Sequence, residues 1–196
     1  MMTETEILDE FRAADALLEG HFILSSGLRS SSFLQCARLL MDPKRAGRVC
    51  ADLAAKVSNQ IESKIDMVVS PAMGGVIVGY EMGRQLGVPA IFTERVDGQF
   101  EFRRGFDVPK GANILMVEDV VTTGLSSREC IKAITQAGGN VVGAAALADR
   151  SGGKVDLSVH FVALVTLIIP TYSPDKIPTE LAKIPAIKPG SRNMKA

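Results

Sequence analysis

Between residues 66 and 153 the chain repeats one pattern, and that pattern decides its fold class. A short apolar segment runs into a loop of glycines and hydroxyls, and a helical stretch follows. DMVVS leads through PAMGG into VIVGYEMGRQLG, and NILMVED leads through VVTTG into LSSRECIKAITQAGG. NVVGAAALADR ends in SGG, and a last strand lies within DLSVHFVALVTLII. Strands rich in Val, Ile and Ala, alternating with helices, form a parallel sheet covered on both faces. The expected class is α/β with a mostly parallel central sheet. In open parallel sheets ligands bind at the carboxyl ends of the strands, in the loops that enter the helices. SPAMGG, VEDVVTTGLSS and DRSGG are three such loops, and the chain topology brings them to one edge.

The flanking segments have other periods. From Thr3 to Leu18 a helix is expected, because Ile7, Leu8, Phe11, Ala14, Leu17 and Leu18 recur at helical spacing. Thr3 with Glu6 forms a capping box, and Gly20 is placed to close the end. HFILSSGLRSSSFLQC reads as short strands around a turn at Gly27. Asp42 and Pro43 are a cap and first-turn pair for a helix to about Gln60. PAIFTER is a strand, and Asp97-Gly98 turns it back into FEFRRG as a hairpin. The tail from Pro170 is proline-rich with little periodicity, so it wraps the surface.

Composition excludes several functions. The 196 residues carry 22 basic and 22 acidic side chains, which removes any electrostatic case for nucleic acid or an anionic membrane as partner. Cys36, Cys50 and Cys130 are widely spaced without a C-x-x-C pair, and His21 and His160 lie far apart, so no zinc site is expected. MMTETEILDE lacks a basic and then apolar leader, and VHFVALVTLII is too short to span a membrane. The expected location is the cytoplasm.

VEDVVTTGLSS carries the chemistry. Backbone amides from Thr122 to Ser126, at the start of a helix, form a nest for one phosphate, with the hydroxyls of Thr122, Thr123 and Ser126 beside it. Gly124 permits close backbone approach. Glu118 and Asp119 need a separate reason, because carboxylates repel phosphate; they suit vicinal sugar hydroxyls or an electron-poor sugar carbon. A simple helix cap needs one hydroxyl and no acid pair. No Walker A loop and no dinucleotide fingerprint occur, which argues against a nucleotide triphosphatase or a dehydrogenase. The glycines of PAMGG have an alternative use in tight helix–strand packing. Arg150, read on the residues alone, is a turn arginine with Asp149 as its partner.

VEDVVTTGLSS (apolar residues, two acids, two apolar residues, Thr-Thr-Gly) resembles the phosphoribosyl diphosphate signature of the type I phosphoribosyltransferases. HFILSSGLRSS, SPAMGG, ALADRSGG and IKPGSR resemble segments of the orotate-using branch, so the likeness covers roughly the whole chain. It implies that family's fold in one domain, with a core of residues 42–169 and a small hood from 1–41 and 170–196. It also implies transfer of phosphoribose from 5-phospho-α-D-ribose 1-diphosphate to orotate, with Mg2+ carried by the diphosphate rather than by protein ligands, in a homodimer. By the same likeness Glu118 and Asp119 are catalytic, holding the ribose hydroxyls. Val120, Val121, Thr122, Thr123, Gly124, Leu125 and Ser126 bind the 5′-phosphate side of that substrate, and Ala72, Met73 and Gly74 its pyrophosphate. Thr122 and Arg150 meet the orotate carboxylate.

The pattern departs from the family in its cations. TERVDGQFEFRRG contains no Lys or His where many members have a lysine-rich mobile loop, which leaves Arg95 as the candidate diphosphate contact and Arg103 and Arg104 as solvated hairpin charges. Ser25-Ser26 stands where some relatives place a Lys, with Arg29 the nearest cation, and Gly74 also stands where some have Lys. The alternatives are transfer to a purine or to uracil, or a non-catalytic sensor of phosphoribosyl diphosphate. The HFILSSG segment and Arg150 oppose the first, and the absence of room for a DNA-binding domain opposes the second.

Overall fold

The computed structural model describes residues 1–24 and 26–189. Helix α1 covers Glu4–Ala13 and starts with the expected capping box, Thr3 and Glu6 each capping the other's backbone. It ends earlier than the helical spacing of Leu17 and Leu18 implies. Asp15 adopts a left-handed conformation (φ 48), and the amides of Asp15 and Ala16 return to the carbonyls of Arg12 and Phe11 at 2.9 and 2.8 Å. That is a Schellman closure with Asp in the place usually taken by Gly. Leu17 and Leu18 then open strand β1, Leu17–Ile23. Gly20, expected to close the helix, instead sits inside β1 where the register breaks between Glu19 and Phe22.

β1 pairs antiparallel with β2, Arg29–Leu34, around the expected turn at Gly27. A five-residue helix, α2 (Cys36–Leu40), follows. Helix α3 occupies Pro43–Gln60, with the Asp42 carboxylate accepting from the amides of Lys44 and Arg45 at 2.9 and 3.4 Å.

The remaining elements alternate: β3 Met67–Pro71, α4 Gly75–Leu86, β4 Ala90–Val96, β5 Gln99–Phe102, β6 Asn113–Val121, α5 Leu125–Gln136, β7 Asn140–Asp149, β8 Phe161–Thr166, β9 Thr171–Tyr172 and α6 Thr179–Ala182. The central sheet has the order β5-β4-β3-β6-β7-β8, and every pairing in it is parallel except the β4–β5 hairpin. Both turn residues of that hairpin, Asp97 and Gly98, have positive φ (46 and 85), as a two-residue turn between right-twisted strands demands.

Alternation along the central strands divides the core in two. Val68, Leu115, Val117, Ala145 and Leu147 face α1 to α4, whereas Met67, Val69, Ile114, Met116 and Ala144 face the Cys130 and Ile134 side of α5. Helices therefore cover both faces, as the apolar strands require. A second sheet, β1-β2-β9, is formed by the two ends of the chain. The tail docks on it through Ile187, whose amide donates to the His21 carbonyl and whose carbonyl accepts from Ile23, both at 2.8 Å. The proline-rich tail thus lies on the surface while contributing one strand and one short helix. Ser25 and the end of the IKPGSR motif, in 190–196, lie outside the described residues.

Candidate active site

β3, β6 and β7 are neighbours and parallel, so their carboxyl ends open on one edge. The SPAMGG loop leaves β3 there. Its Ala72 amide donates to the Thr93 carbonyl of β4 at 2.8 Å, and the Ala72–Met73 peptide is cis. Ala72 is half-buried, while Met73 and Gly74 are exposed. The two glycines divide the uses foreseen for them. A Cβ on Gly75 would lie 3.0 Å from Ser70 Cβ, so Gly75 serves helix–strand packing. A Cβ on Gly74 would lie 2.7 Å from Asp119 Oδ1, so Gly74 sets the close approach of this loop to Asp119.

Glu118 and Asp119, with Val120, are half-buried near the end of β6, and Val121 is buried. Burial pushes the Glu118 carboxyl up to about 7; a hydrogen bond from the Ser127 hydroxyl opposes the rise and the adjacent Asp119 adds to it. Asp119 is raised for the same first reason, against the pull of the Val120 amide on its Oδ1 at 2.9 Å. The buried Cys36 thiol lies 3.8 Å from the Asp119 carbonyl.

Beyond β6 the chain enters the hydroxyl loop. Thr122 and Thr123 are exposed, and among the described residues the amides of Thr122, Thr123 and Gly124 donate to no backbone carbonyl. Gly124 is left-handed (φ 73), and a Cβ there would meet Val155 Cγ2 at 2.6 Å and Leu157 Cδ2 at 2.8 Å. Only glycine fits. Leu125 is exposed and Ser126 half-buried in the first turn of α5. Arg128 braces the loop from outside, donating to the carbonyls of Thr123 and Asp156 at 3.0 and 3.1 Å.

Arg150 follows β7, its amide fixed to the Val121 carbonyl at 2.8 Å. The partnership with Asp149 does not form. The Asp149 carboxylate instead accepts from the amides of Ser151 and Gly153 at 2.7 and 2.8 Å, shaping the glycine turn. The Arg150 side chain is half-buried with no partner for its Nε among the described residues, and burial holds its pKa below the ordinary guanidinium value. No ion pair among the described residues involves Glu118, Asp119 or Arg150. Arg150 shares a cleft of about 540 Å³ with Thr122 and Thr123, walled by Ile23 and Phe33 of the smaller sheet, by Leu24 just beyond β1 and by Pro189 of the tail. Arg29, on β2, likewise has a buried Nε without a partner among the described residues.

Arg95 is engaged elsewhere. Its guanidinium donates to Glu129 and to the Gly98 carbonyl, each at 2.5 Å, and stacks 4.3 Å from the Phe100 ring centre. Arg104 is a bidentate partner of Glu94 at 2.8 and 3.0 Å, and Arg103 is exposed. Among the described residues no three His, Cys, Asp or Glu side chains are grouped to hold a metal ion. Sequence reasoning missed Ser127 and the apolar wall of the cleft. Ser127 reads as one more hydroxyl in a serine pair, and only the packing of α5 on β6 shows that it is buried against Glu118.

Known proteins agree with this geometry. Residues 40–177 match the family model described as "Phosphoribosyl transferase domain". The chain is 64% identical over 191 residues to orotate phosphoribosyltransferase of Novosphingobium aromaticivorans, covering 97% of this chain and 98% of that one. It is 62% identical to the enzyme of the same name from Sphingopyxis alaskensis, over the full length of both. The crystal structure of orotate phosphoribosyltransferase from Aeropyrum pernix superposes with a TM-score of 0.66 at 28% identity, covering 82% of this chain and 93% of that one.

Proposed function

The chain belongs to the orotate phosphoribosyltransferases, and from that premise we propose how its residues divide the reaction. The enzyme joins orotate to the ribosyl carbon of 5-phospho-α-D-ribose 1-diphosphate: the bond from that carbon to the diphosphate oxygen breaks, a carbon–nitrogen bond forms with inversion, and orotidine 5′-monophosphate and pyrophosphate leave. This is a step of pyrimidine biosynthesis, and the three buried, unpaired cysteines suit the reducing cytoplasm. The observation that carries the reading is the half-buried Arg150, whose Nε has no partner among the described residues, in a cleft with Thr122 and beside the strand that carries Glu118 and Asp119 near its end.

In this reading the 5′-phosphate sits on the Thr122–Ser126 amides and hydroxyls, at the amino end of α5, where the helix dipole favours an anion. Glu118 and Asp119 accept hydrogen bonds from the ribose 2′- and 3′-hydroxyls, and their charge stabilises the cationic sugar of the transition state. The Ala72–Met73–Gly74 backbone holds the pyrophosphate beside Asp119. Arg150 forks onto the orotate carboxylate, with Thr122 as second donor. Phe33, Ile23 and Leu24 cover the flat ring, which gives residues 1–41 and 170–196 the part of a hood over the core of 42–169.

Magnesium would enter with the diphosphate, beside Asp119 where the Ala72–Met73–Gly74 loop approaches that carboxylate. Bound there, it would draw charge from the leaving group. Arg95 joins the diphosphate only by releasing Glu129. A homodimer completes the proposal, supported by the exposed strip of Met73, Ile77 and Tyr80 that runs from the glycine loop along α4, with the hairpin near residues 93–105 beside the neighbour's site. Sedimentation tests it, and a fully active monomer refutes it.

The deciding assay follows loss of orotate absorbance with phosphoribosyl diphosphate and magnesium, in parallel with uracil, adenine and hypoxanthine. Turnover of orotate alone is expected. Equal turnover of uracil would remove Arg150 from its role.

A further inference from the structure

We propose that Ser127 is the positioning residue for Glu118: its buried hydroxyl donates to one carboxylate oxygen and so fixes how the acid is presented to the sugar. Ser127 is fully buried in the first turn of α5, and its Oγ reaches Glu118 Oε2 across the helix–strand interface. A serine at such a place often turns its hydroxyl back to the carbonyl four residues earlier. Here that carbonyl, of Thr123, is already taken by the Arg128 guanidinium at 3.0 Å. The Ser127 hydroxyl donates to Glu118 instead.

The charge of Glu118 depends on this bond as well as its orientation. The titratable groups that face it are Asp119, next to it on β6, and Cys130, one turn further along α5, whose Sγ lies 3.6 Å from Thr93 Oγ1 of β4. Asp119 opposes ionisation of Glu118, and burial of the Cys130 thiol pushes its own pKa up to about 12, so it stays neutral. Among the described residues Ser127 is the neighbour that favours the carboxylate, against a burial that raises Glu118 to about 7. Hydrogen bonds to buried charges have strengths that correspond to about one to two pKa units. Ser127→Ala is expected to raise the Glu118 pKa by that amount, which leaves most of the acid protonated at neutral pH.

The inference rests on the assignment of Glu118 to the ribose, and two measurements keep the two claims apart. The first is the Glu118 carboxyl titration by 13C NMR in the ligand-free full chain, with Glu118→Gln to identify the resonance. An upward shift of about one to two units in Ser127→Ala is expected, with Ser127→Thr, which keeps the hydroxyl, returning toward the parent. An unmoved titration overturns the role of Ser127. The second is the pH profile of kcat/KM for phosphoribosyl diphosphate, whose acid limb is expected to move up by the same amount, with the rate recovering at alkaline pH and the KM for orotate unchanged. A uniform loss of rate at every pH, without movement of the limb, reduces Ser127 to packing and also overturns the proposal. An NMR shift with an unmoved kinetic limb refutes the role of Glu118 instead. If Ser127→Ala does not fold, Ser127→Cys, with its weak thiol donor, carries the same test.

Discussion

Truncation of Arg150 separates substrate recognition from stability, because its burial and its proposed role on orotate give the two effects different signs. In the ligand-free protein Arg150 is half-buried, and among the described residues its Nε has no partner and it joins no ion pair. Desolvating an unpaired cation is unfavourable, so Arg150→Ala relieves that cost while losing the packing of the aliphatic stem. The net change in folding free energy is expected to stay within about 1 kcal/mol of zero. Binding behaves oppositely. Loss of the partner of a desolvated carboxylate costs about 2–5 kcal/mol, or about 30-fold to several-thousand-fold in affinity. Steady-state kinetics with each substrate varied in turn, beside a thermal melt of the free protein, provides the assay. The expected result is a steep rise in the orotate KM, a nearly unchanged phosphoribosyl diphosphate KM and an unchanged melting temperature. Arg150→Lys recovers only part of the loss, since an ammonium makes no two-pronged contact. A variant that lost diphosphate affinity and kept its orotate KM, or that lost stability in proportion to affinity, would refute the reasoning.

Three further outcomes follow from the same geometry. Asp119→Asn is expected to lower kcat by one to several powers of ten with a smaller effect on substrate KM, because its charge matters most when the sugar becomes cationic; near-normal turnover in a folded variant rejects this. Gly124→Ala puts a Cβ 2.6 Å from Val155 Cγ2 in left-handed backbone, so a loss of roughly 2–4 kcal/mol in stability is expected, along with weaker phosphoribosyl diphosphate binding, by urea denaturation and titration. Glu118 gives stability a pH slope: its folded pKa, about 7, lies above the ordinary 4.5, so its contribution is full at pH below 4.5 and is lost as the pH rises through about 7, by at most about 3 kcal/mol. Comparing denaturation at pH 5 and pH 8 in parent and Glu118→Gln checks it, the variant being expected to lack that part of the slope; identical slopes count against the raised pKa.

The fold was legible where local chemistry and period agree. Apolar strands that alternate with helices, Asp42 before Pro43, and Asp97-Gly98 each have one cheap conformation, and the structure adopts it. The end of α1 was hidden because Asp15, not glycine, takes the left-handed position, and because Leu17 and Leu18 continue the helical spacing by coincidence while serving a strand. α2 is too short to show a period. At the site the sequence reveals which loops converge on one sheet edge, since they follow parallel neighbouring strands. It does not reveal partners. Asp149 adjoins Arg150 in the chain and is the natural guess for its counter-ion, yet the turn amides of Ser151 and Gly153 claim that carboxylate. Arg95 is the best cation in its segment, but Glu129, thirty-four residues on, holds it.

These partnerships explain how neighbouring strand ends carry acids and a cation without their cancelling. Glu118 and Asp119 lie on β6 and Arg150 follows the adjacent β7, and none of the three joins an ion pair among the described residues. Burial penalises each charge: both carboxyls are raised and the guanidinium is lowered. A surface that paired them internally would fold more stably and bind less, because the substrate would have to break those pairs first. In the proposed assignment, holding them apart leaves the orotate carboxylate and the cationic sugar as the groups that relieve the penalty, which is electrostatic preorganisation at the expense of the free protein. It follows that Arg150→Ala and Glu118→Gln both damage catalysis while leaving the ligand-free fold about as stable, or more so. The stabilisation that substrates confer on the parent in a thermal melt is expected to shrink in each variant. If instead either variant unfolded readily without ligand, the side chain would be holding the fold together, and the cleft would not be storing its charges for the substrate.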